Sequence, residues 1–314
     1  MIKKEIESKE LIECLNKLES DKMSVFMLND GLFRGCLFNA TRFVNQIRLQ
    51  HNLGILETMI LGQACICSAL LIPMMKEKGK MIIKANLDGP VEGYCIEIDS
   101  SGYLRGYLLN DNINIDKPVE NWDLSKYLGK GTLTVSRLNE NDKFPYESSV
   151  EIGSGNIAKD FASYFNQSDQ LNTAFNSSIQ FNSKGEVIGA GGMYLQYVPT
   201  NGGIKKDLEA TIDVDKISIG VENAFSACPS VGKWFSENGN HDDLIFGLFR
   251  EFNPVVLIER NIVFDCPCNE SYYLNIIKNM DTKTKENIFK DDEFVEITCK
   301  NCGSKYKIMA DEVK

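Results

Sequence analysis

Histidine is nearly missing from this chain: His51 and His241 are the only two in 314 residues. That supply cannot furnish a multi-histidine metal centre or a crowded acid–base site. Positive charge is also short, with 34 Lys/Arg against 44 Asp/Glu and a formal net charge of -10. Nucleic acid is therefore not expected as a partner, because phosphate binding needs a basic face. Long apolar runs are missing too. The longest, ACICSALLIPMM at 64–75, has 12 residues, whereas a bilayer span needs about 20. The N-terminal MIKKEIESKE is charged where a secretory signal turns apolar. No membrane partner and a cytoplasmic location are the expectations.

Cysteine, by contrast, is abundant, with ten residues. A reducing cytoplasm does not sustain a disulfide framework. Some of the ten should be core residues, and a cluster should bind metal or carry redox chemistry. The length suits two domains with a connector.

Residues 1–199 mix the two periodicities without strict alternation, which predicts an α+β domain. EGYCIEIDSSGYLRGYLL is a hairpin turning at Ser101-Gly102. NSSIQFNSKGEVIGAGGMYLQYV turns at Lys184-Gly185. TRFVNQIRLQH, 55–75 and 156–167 have helical spacing. After PTNGG the composition shifts, and 200–262 reads as an acidic, metastable helical connector. Residues 201–265 carry six Lys/Arg and eleven Asp/Glu. A helix over 206–225 should place Leu208, Ile212 and Ile219 on one face. A second, DDLIFGLFREF, should group Leu244, Ile245, Leu248, Phe249 and Phe252. Such a connector either rests permanently on a neighbour or docks only while that neighbour stays folded.

The neighbour is a small domain at 263–314. Cys266 and Cys268 form C-x-C, Cys299 and Cys302 form C-x-x-C, and thirty residues separate the pairs. Four soft thiolates delivered as two close pairs predict one zinc ion. ITCKNCGSKYKI reads as a β-turn-β knuckle freed by Gly303, and Tyr272, Ile276 and Ile277 as a small core. About 50 residues cannot hold together by burial alone, so metal should govern folding. Zinc keeps the sulfurs as thiolates, the nucleophilic form, and a C-x-C sets two side by side. Oxidation would expel zinc, unfold the domain and undock the connector. The competing reading is a constitutive protein-binding module with a purely structural zinc site.

At these residues the chain resembles the bacterial heat-shock protein 33 family, redox-regulated holdase chaperones of about thirty-three kilodaltons. The resemblance spans essentially the whole chain. Besides the cysteine pattern it rests on LDGPVEGYCIEIDSSGYLRGYL, PYESSVEIGSGNIAKDFASYFNQSDQ and AGGMYLQYVP. It implies zinc on Cys266, Cys268, Cys299 and Cys302 in an inactive reduced state. Under oxidant it implies disulfides Cys266–Cys268 and Cys299–Cys302, an unfolded connector and a tendency to homodimerise. Binding of unfolding client proteins without ATP, and no enzymatic activity, are also implied. This chain departs from the pattern in its SENGNHDD interruption, its connector thiol Cys228, and Pro267 between the first cysteine pair.

Other signals are weaker. Gly153, Gly155 and Ala158 fit the dinucleotide fingerprint G-x-G-x-x-A, but the region about 20 residues on, AFNSSIQFN, lacks the required acid. A turn feeding a helix explains them. Cys14, Cys36, Cys65, Cys67 and Cys95 read as core, Tyr164 as helix-end packing, and Trp122 and Trp234 as packing residues.

Overall fold

The computed structural model describes residues 1–75, 77–114, 122–198, 213–290 and 292–313. Two antiparallel-rich sheets enclose a helical layer. The first is five-stranded, in the order β10-β1-β2-β9-β8. It contains β1 (Met23–Leu28), β2 (Phe33–Asn39), β8 (Thr173–Phe181), β9 (Val187–Tyr197) and β10 (Val255–Arg260). The second is six-stranded, in the order β11-β5-β4-β3-β6-β7. Its strands are β3 (Gly79–Leu87), β4 (Gly93–Asp99), β5 (Tyr103–Leu108), β6 (Gly131–Asn139), β7 (Tyr146–Ile152) and β11 (Val263–Phe264). Both hairpins expected from the sequence are present, as β4–β5 and β8–β9.

Between the sheets lie α2 (Thr41–His51), α3 (Ile55–Ala69) and α5 (Ile157–Tyr164); α1 (Lys9–Lys17) and α4 (Ser125–Leu128) lie elsewhere. The stretch Ile55–Met74 has mean hydropathy 1.9, long and apolar enough to cross a membrane, but 89% of its window is buried. Its hydrophobicity on all sides is what a helix between two sheets requires, since each face meets a strand. Period-2 alternation gives the six-stranded sheet one buried face. Met81, Ile83, Tyr94, Ile96, Leu104, Leu133 and Val135 point into the core.

In the five-stranded sheet the central strands β1, β2 and β9 are buried on both faces, whereas the edge strand β10 is largely exposed. Cys36, Phe38, Ala190 and Tyr194 face the helical layer. Phe26, Phe33, Leu37, Met193 and Leu195 face the opposite way, into a second cluster completed by the connector. The connector supplies α6 (Val214–Ser226), α7 (Val231–Ser236) and α8 (His241–Phe249). Glycines let α7 lie close to the strands. A Cβ on Gly232 would sit 2.6 Å from the Ser178 carbonyl oxygen, and one on Gly189 only 2.1 Å from that of Gly232.

Several expectations need correction. The connector is not purely helical: β10 pairs antiparallel with β1, Met23 opposite Arg260. Ile219 is 60% exposed, and Val221 with Ile217 faces the sheet instead. The start of the connector, with Leu208 and Ile212, falls outside the described residues. Leu244, Ile245 and Phe249 are buried as expected, with Leu248 and Phe252 packed beside them. The 156–167 helix continues past Tyr164 as a π-helical turn, Phe165–Asp169. Cys36, Cys65 and Cys67 are core, but Cys14 and Cys95 are half-buried. Alternation explains Cys95: Tyr94 and Ile96 take the inward positions of β4.

Candidate metal centre

The connector ends where β11 pairs in parallel with β5, Phe264 opposite Leu104. Cys266 and Cys268 follow at once. Asn269 then caps α9 (Glu270–Lys278), its side chain accepting from the Tyr272 amide. After α10 (Thr282–Ile288), strands β12 (Phe294–Thr298) and β13 (Lys305–Met309) form a hairpin whose turn holds Cys299 and Cys302. The Cys299 amide donates to Ser304 O at 2.8 Å, and the Gly303 amide to Cys299 O at 2.7 Å. Gly303 has φ +66, the left-handed region that closes such a knuckle without a Cβ penalty.

The four sulfurs are buried and lie within 4.8 Å of one another. Cys266 Sγ is 3.8 Å from Cys299 Sγ, and Cys268 Sγ is 3.3 Å from Cys302 Sγ. Sulfurs about 2.3 Å from one zinc ion at tetrahedral corners would stand about 3.8 Å apart, so the donor set fits. Hydrogen bonds from Cys266 and Cys302 pull the Cys299 thiol far down. Hydrogen bonding with Cys266 and Cys299 pushes Cys302 far up, and burial raises Cys268. Four anions this close cannot coexist without a cation among them.

Outer contacts complete the site. Tyr306 Oη donates to Cys268 O at 2.9 Å and lies 3.2 Å from Cys268 Sγ. The Cys302 thiol meets Ser304 Oγ at 3.2 Å. Arg105 on β5 donates from Nη1 to Cys266 Sγ at 3.3 Å. Buried Gln50, at the end of α2, donates to Cys302 O and to Ile2 O, each at 3.0 Å. The Ile2 amide in turn donates to Ser304 Oγ at 3.0 Å. The knuckle thus presses on α2, and a Cβ on Gly303 would stand 2.3 Å from the Gln50 carbonyl oxygen.

Sequence reasoning missed Arg105, Gln50, Ser304 and Tyr306. Only Arg105 left a trace, as a charged outward position in alternating YLRGYL. The small-domain core also differs: Ile277, Ile308 and Val313 form it with Tyr273 and Leu274 alongside, while Tyr272 is 55% and Ile276 41% exposed. Ile277 is buried as expected, but the helix turns Tyr273 rather than Tyr272 inward, where its ring lies tilted against Tyr306 beside the sulfurs, 5.4 Å between ring centres.

The remaining candidates are structural. Asn156 caps α5 by accepting from the Lys159 amide, and Asp160 accepts from Ser154, so the Gly153 loop spends its polar groups on a helix start. Tyr164 is buried and its Oη lies 2.6 Å from Ser148 Oγ. Trp234 donates to Asn240 O at 2.9 Å, and Trp122 stacks on Phe181. Cys228 packs against the connector cluster, where burial pushes its thiol up to about 12. His241 is buried, its Nδ1 2.9 Å from Glu19 Oε2 and its Nε2 3.1 Å from Lys22 O. His51 lies edge-on to Phe264.

Comparison with known proteins agrees with this arrangement. A family profile described as Hsp33 protein matches residues 21–309. The 33 kDa chaperonin of Aquifex aeolicus is 29% identical over 295 residues, covering 92% of this chain and 87% of its own. That of a Prochlorococcus marinus strain is 31% identical over 279 residues, covering 86% and 89%. The crystal structure of the 33 kDa chaperonin from Thermotoga maritima superposes with a TM-score of 0.81 at 26% identity, covering 94% of this chain and 97% of that one. The chain belongs to the Hsp33 protein family.

Proposed function

We propose that this chaperone is an ATP-independent holdase switched by the redox state of Cys266, Cys268, Cys299 and Cys302. The reading divides the chain into a 1–199 chaperone domain, a 200–262 connector and a 263–314 switch domain. One zinc ion on the four cysteines would supply the folding free energy of the small domain and keep its ligands as thiolates.

The observation that carries the proposal is the covered sheet. The connector lies over a complete apolar face made by Phe26, Leu28, Phe33, Leu37, Met193 and Leu195. Its last strand, β10, leads through β11 directly into the cysteine site. The chain's own groups explain how chemistry at one end reaches the other. Each disulfide forms as two thiolates give two electrons to a peroxide, which takes up two protons and leaves as two waters. Following the family pattern, Cys266 pairs with Cys268 and Cys299 with Cys302, and no thiolate remains to hold a cation. Four protein ligands then no longer tie the β12–β13 turn to the segment after β11. The knuckle leaves Gln50, β11 loses its continuation, and the connector helices are released from the sheet. An apolar face of this size binds non-native proteins by burial alone, which needs no nucleotide. Clients are thus unfolding proteins in the cytoplasm, and two released copies can pair as a homodimer.

Light scattering from a thermally unfolding client tests this, with reduced and peroxide-treated protein compared. Suppression only after oxidation is expected. Equal suppression by both forms, with zinc retained, would establish the constitutive module with a structural zinc site instead.

A further inference from the structure

We propose that Arg105 is the residue through which the N-terminal domain senses the charge of the cysteine cluster, so that loss of thiolate character at Cys266 undocks the switch domain from β5. The proposal rests on the zinc-and-disulfide reading above and names the group that couples the site to the rest of the fold.

Arg105 points outward from the six-stranded sheet, between inward Leu104 and Gly106. Its guanidinium bridges two acceptors. Nη2 meets Glu97 Oε2 at 2.7 Å, and Nη1 meets Cys266 Sγ at 3.3 Å. Glu97 is its direct cross-strand partner and is itself held by Lys80 at 2.9 Å. The fork is therefore fixed from the sheet side and has one sulfur to reach. Among the described residues, Arg105 is the one cationic side chain hydrogen-bonded to a cluster sulfur. Its Nε is buried and has no partner, and its side chain is only 20% exposed. A guanidinium so placed depends on its anions more than one in water does.

A divalent cation among four thiolates leaves two negative charges uncompensated within the site. Arg105 offsets part of that charge at Cys266, where the chain passes from β11 into the switch domain. When Cys266 forms a disulfide, two electrons leave for the peroxide and the sulfur becomes neutral. It is then a poor acceptor, and Arg105 is left with Glu97 alone. The nearby contact of Lys300 Nζ over the Tyr107 ring, 4.6 Å, holds the same face but is indifferent to sulfur charge. Arg105 is thus a positioning residue whose hold on the cluster disappears with the thiolate.

The test uses the full chain in its reduced form. Zinc affinity is measured by competition with a chromophoric chelator, and docking by tryptic cleavage within 213–262. Arg105→Met removes the charge while keeping length, Arg105→Lys restores it, and Tyr107→Leu removes the neighbouring ring. Partners outside the ligand set are typically worth about 10–100-fold in metal affinity. Arg105→Met should therefore lose zinc about tenfold more readily and expose the connector before any oxidation. Its difference from the unaltered protein should shrink in high salt, and Arg105→Lys should recover most of the loss. Unaltered affinity in Arg105→Met, or an equal fall in Arg105→Lys and Tyr107→Leu, would overturn the proposal while leaving the functional reading intact. An unaltered chain that binds no zinc would overturn both.

Discussion

The connector and the cysteine-bearing C-terminal segment both lean on the N-terminal domain, but with different physics. The connector docks by apolar burial: Phe249 lies against Phe26 with 5.6 Å between ring centres, and Val221, Val231, Phe235, Leu244 and Ile245 fill the rest. The cysteine-bearing segment also buries Phe264 and Tyr306 in the main core, but adds polar contacts at the knuckle itself, from Gln50 to Cys302 O, from Ile2 to Ser304, and from Arg105 to Cys266. Apolar burial is insensitive to redox chemistry, whereas hydrogen bonds to a cysteine knuckle exist only while the knuckle is folded. Under the proposed function, the first region would cover the binding surface and the second would carry the trigger.

The sharpest way to separate them is to strip the metal. A chelator, or Cys299→Ser with Cys302→Ser, should remove about 10–16 kcal/mol of apparent folding free energy from 263–313. The 1–198 domain should keep its cooperative melting transition, followed by circular dichroism. Retention of folded β12–β13 amide signals without metal would erase the contrast. Attacking the connector should do the reverse. Phe249→Ala should cost about 3–5 kcal/mol of docking. It should admit trypsin to the connector in reduced protein while zinc binding persists.

A smaller effect lies at the junction with α2. Gln50→Ala leaves the carbonyls of Cys302 and Ile2 without their donor, worth about 1–3 kcal/mol. Faster peroxide-driven zinc release, with unchanged connector packing in the reduced state, is the expected signature. The smallest is a proton effect on the connector. Burial lowers the pKa of His241 despite Glu19 beside it. Burial pushes Glu19 up, but hydrogen bonds from His241 and Lys22 outweigh it and leave its carboxyl below the ordinary value. In both cases the docked form binds fewer protons than the released form, so docking weakens as pH falls. The histidine contribution is fully present above about pH 6.5 and declines below it; the glutamate adds its own loss below about 4.5. Protease protection of 213–262 between pH 7 and 5 should decline, and His241→Gln should flatten that decline.

How much of this was legible beforehand follows from the range of the interactions. Helix α2 and both hairpins are local: periodicity and a turn dipeptide specify them, and they appear where expected. The cysteine quartet was legible because ligand spacing is itself a sequence pattern. The pairing of β10 with β1 was not, since it joins segments more than 200 residues apart with no local signal for which edge is free. Ile219 and Tyr272 were misplaced for one reason. A short helix with apolar residues at neighbouring positions has an ambiguous phase, which here tertiary partners fixed on Val221 and Tyr273. Gln50 and Ser304 carry no pattern, because their importance comes from backbone carbonyls and amides brought to them by the fold.

In the proposed mechanism, the state of four sulfurs decides whether a sheet face is covered. Zinc release should be followed against peroxide dose, with disulfides mapped and connector proteolysis read in the same samples. Zinc loss in step with Cys266–Cys268 and Cys299–Cys302 pairing, and with cleavage inside 213–262, is the predicted result. A connector that stays protected after both disulfides have formed and zinc has left would contradict it.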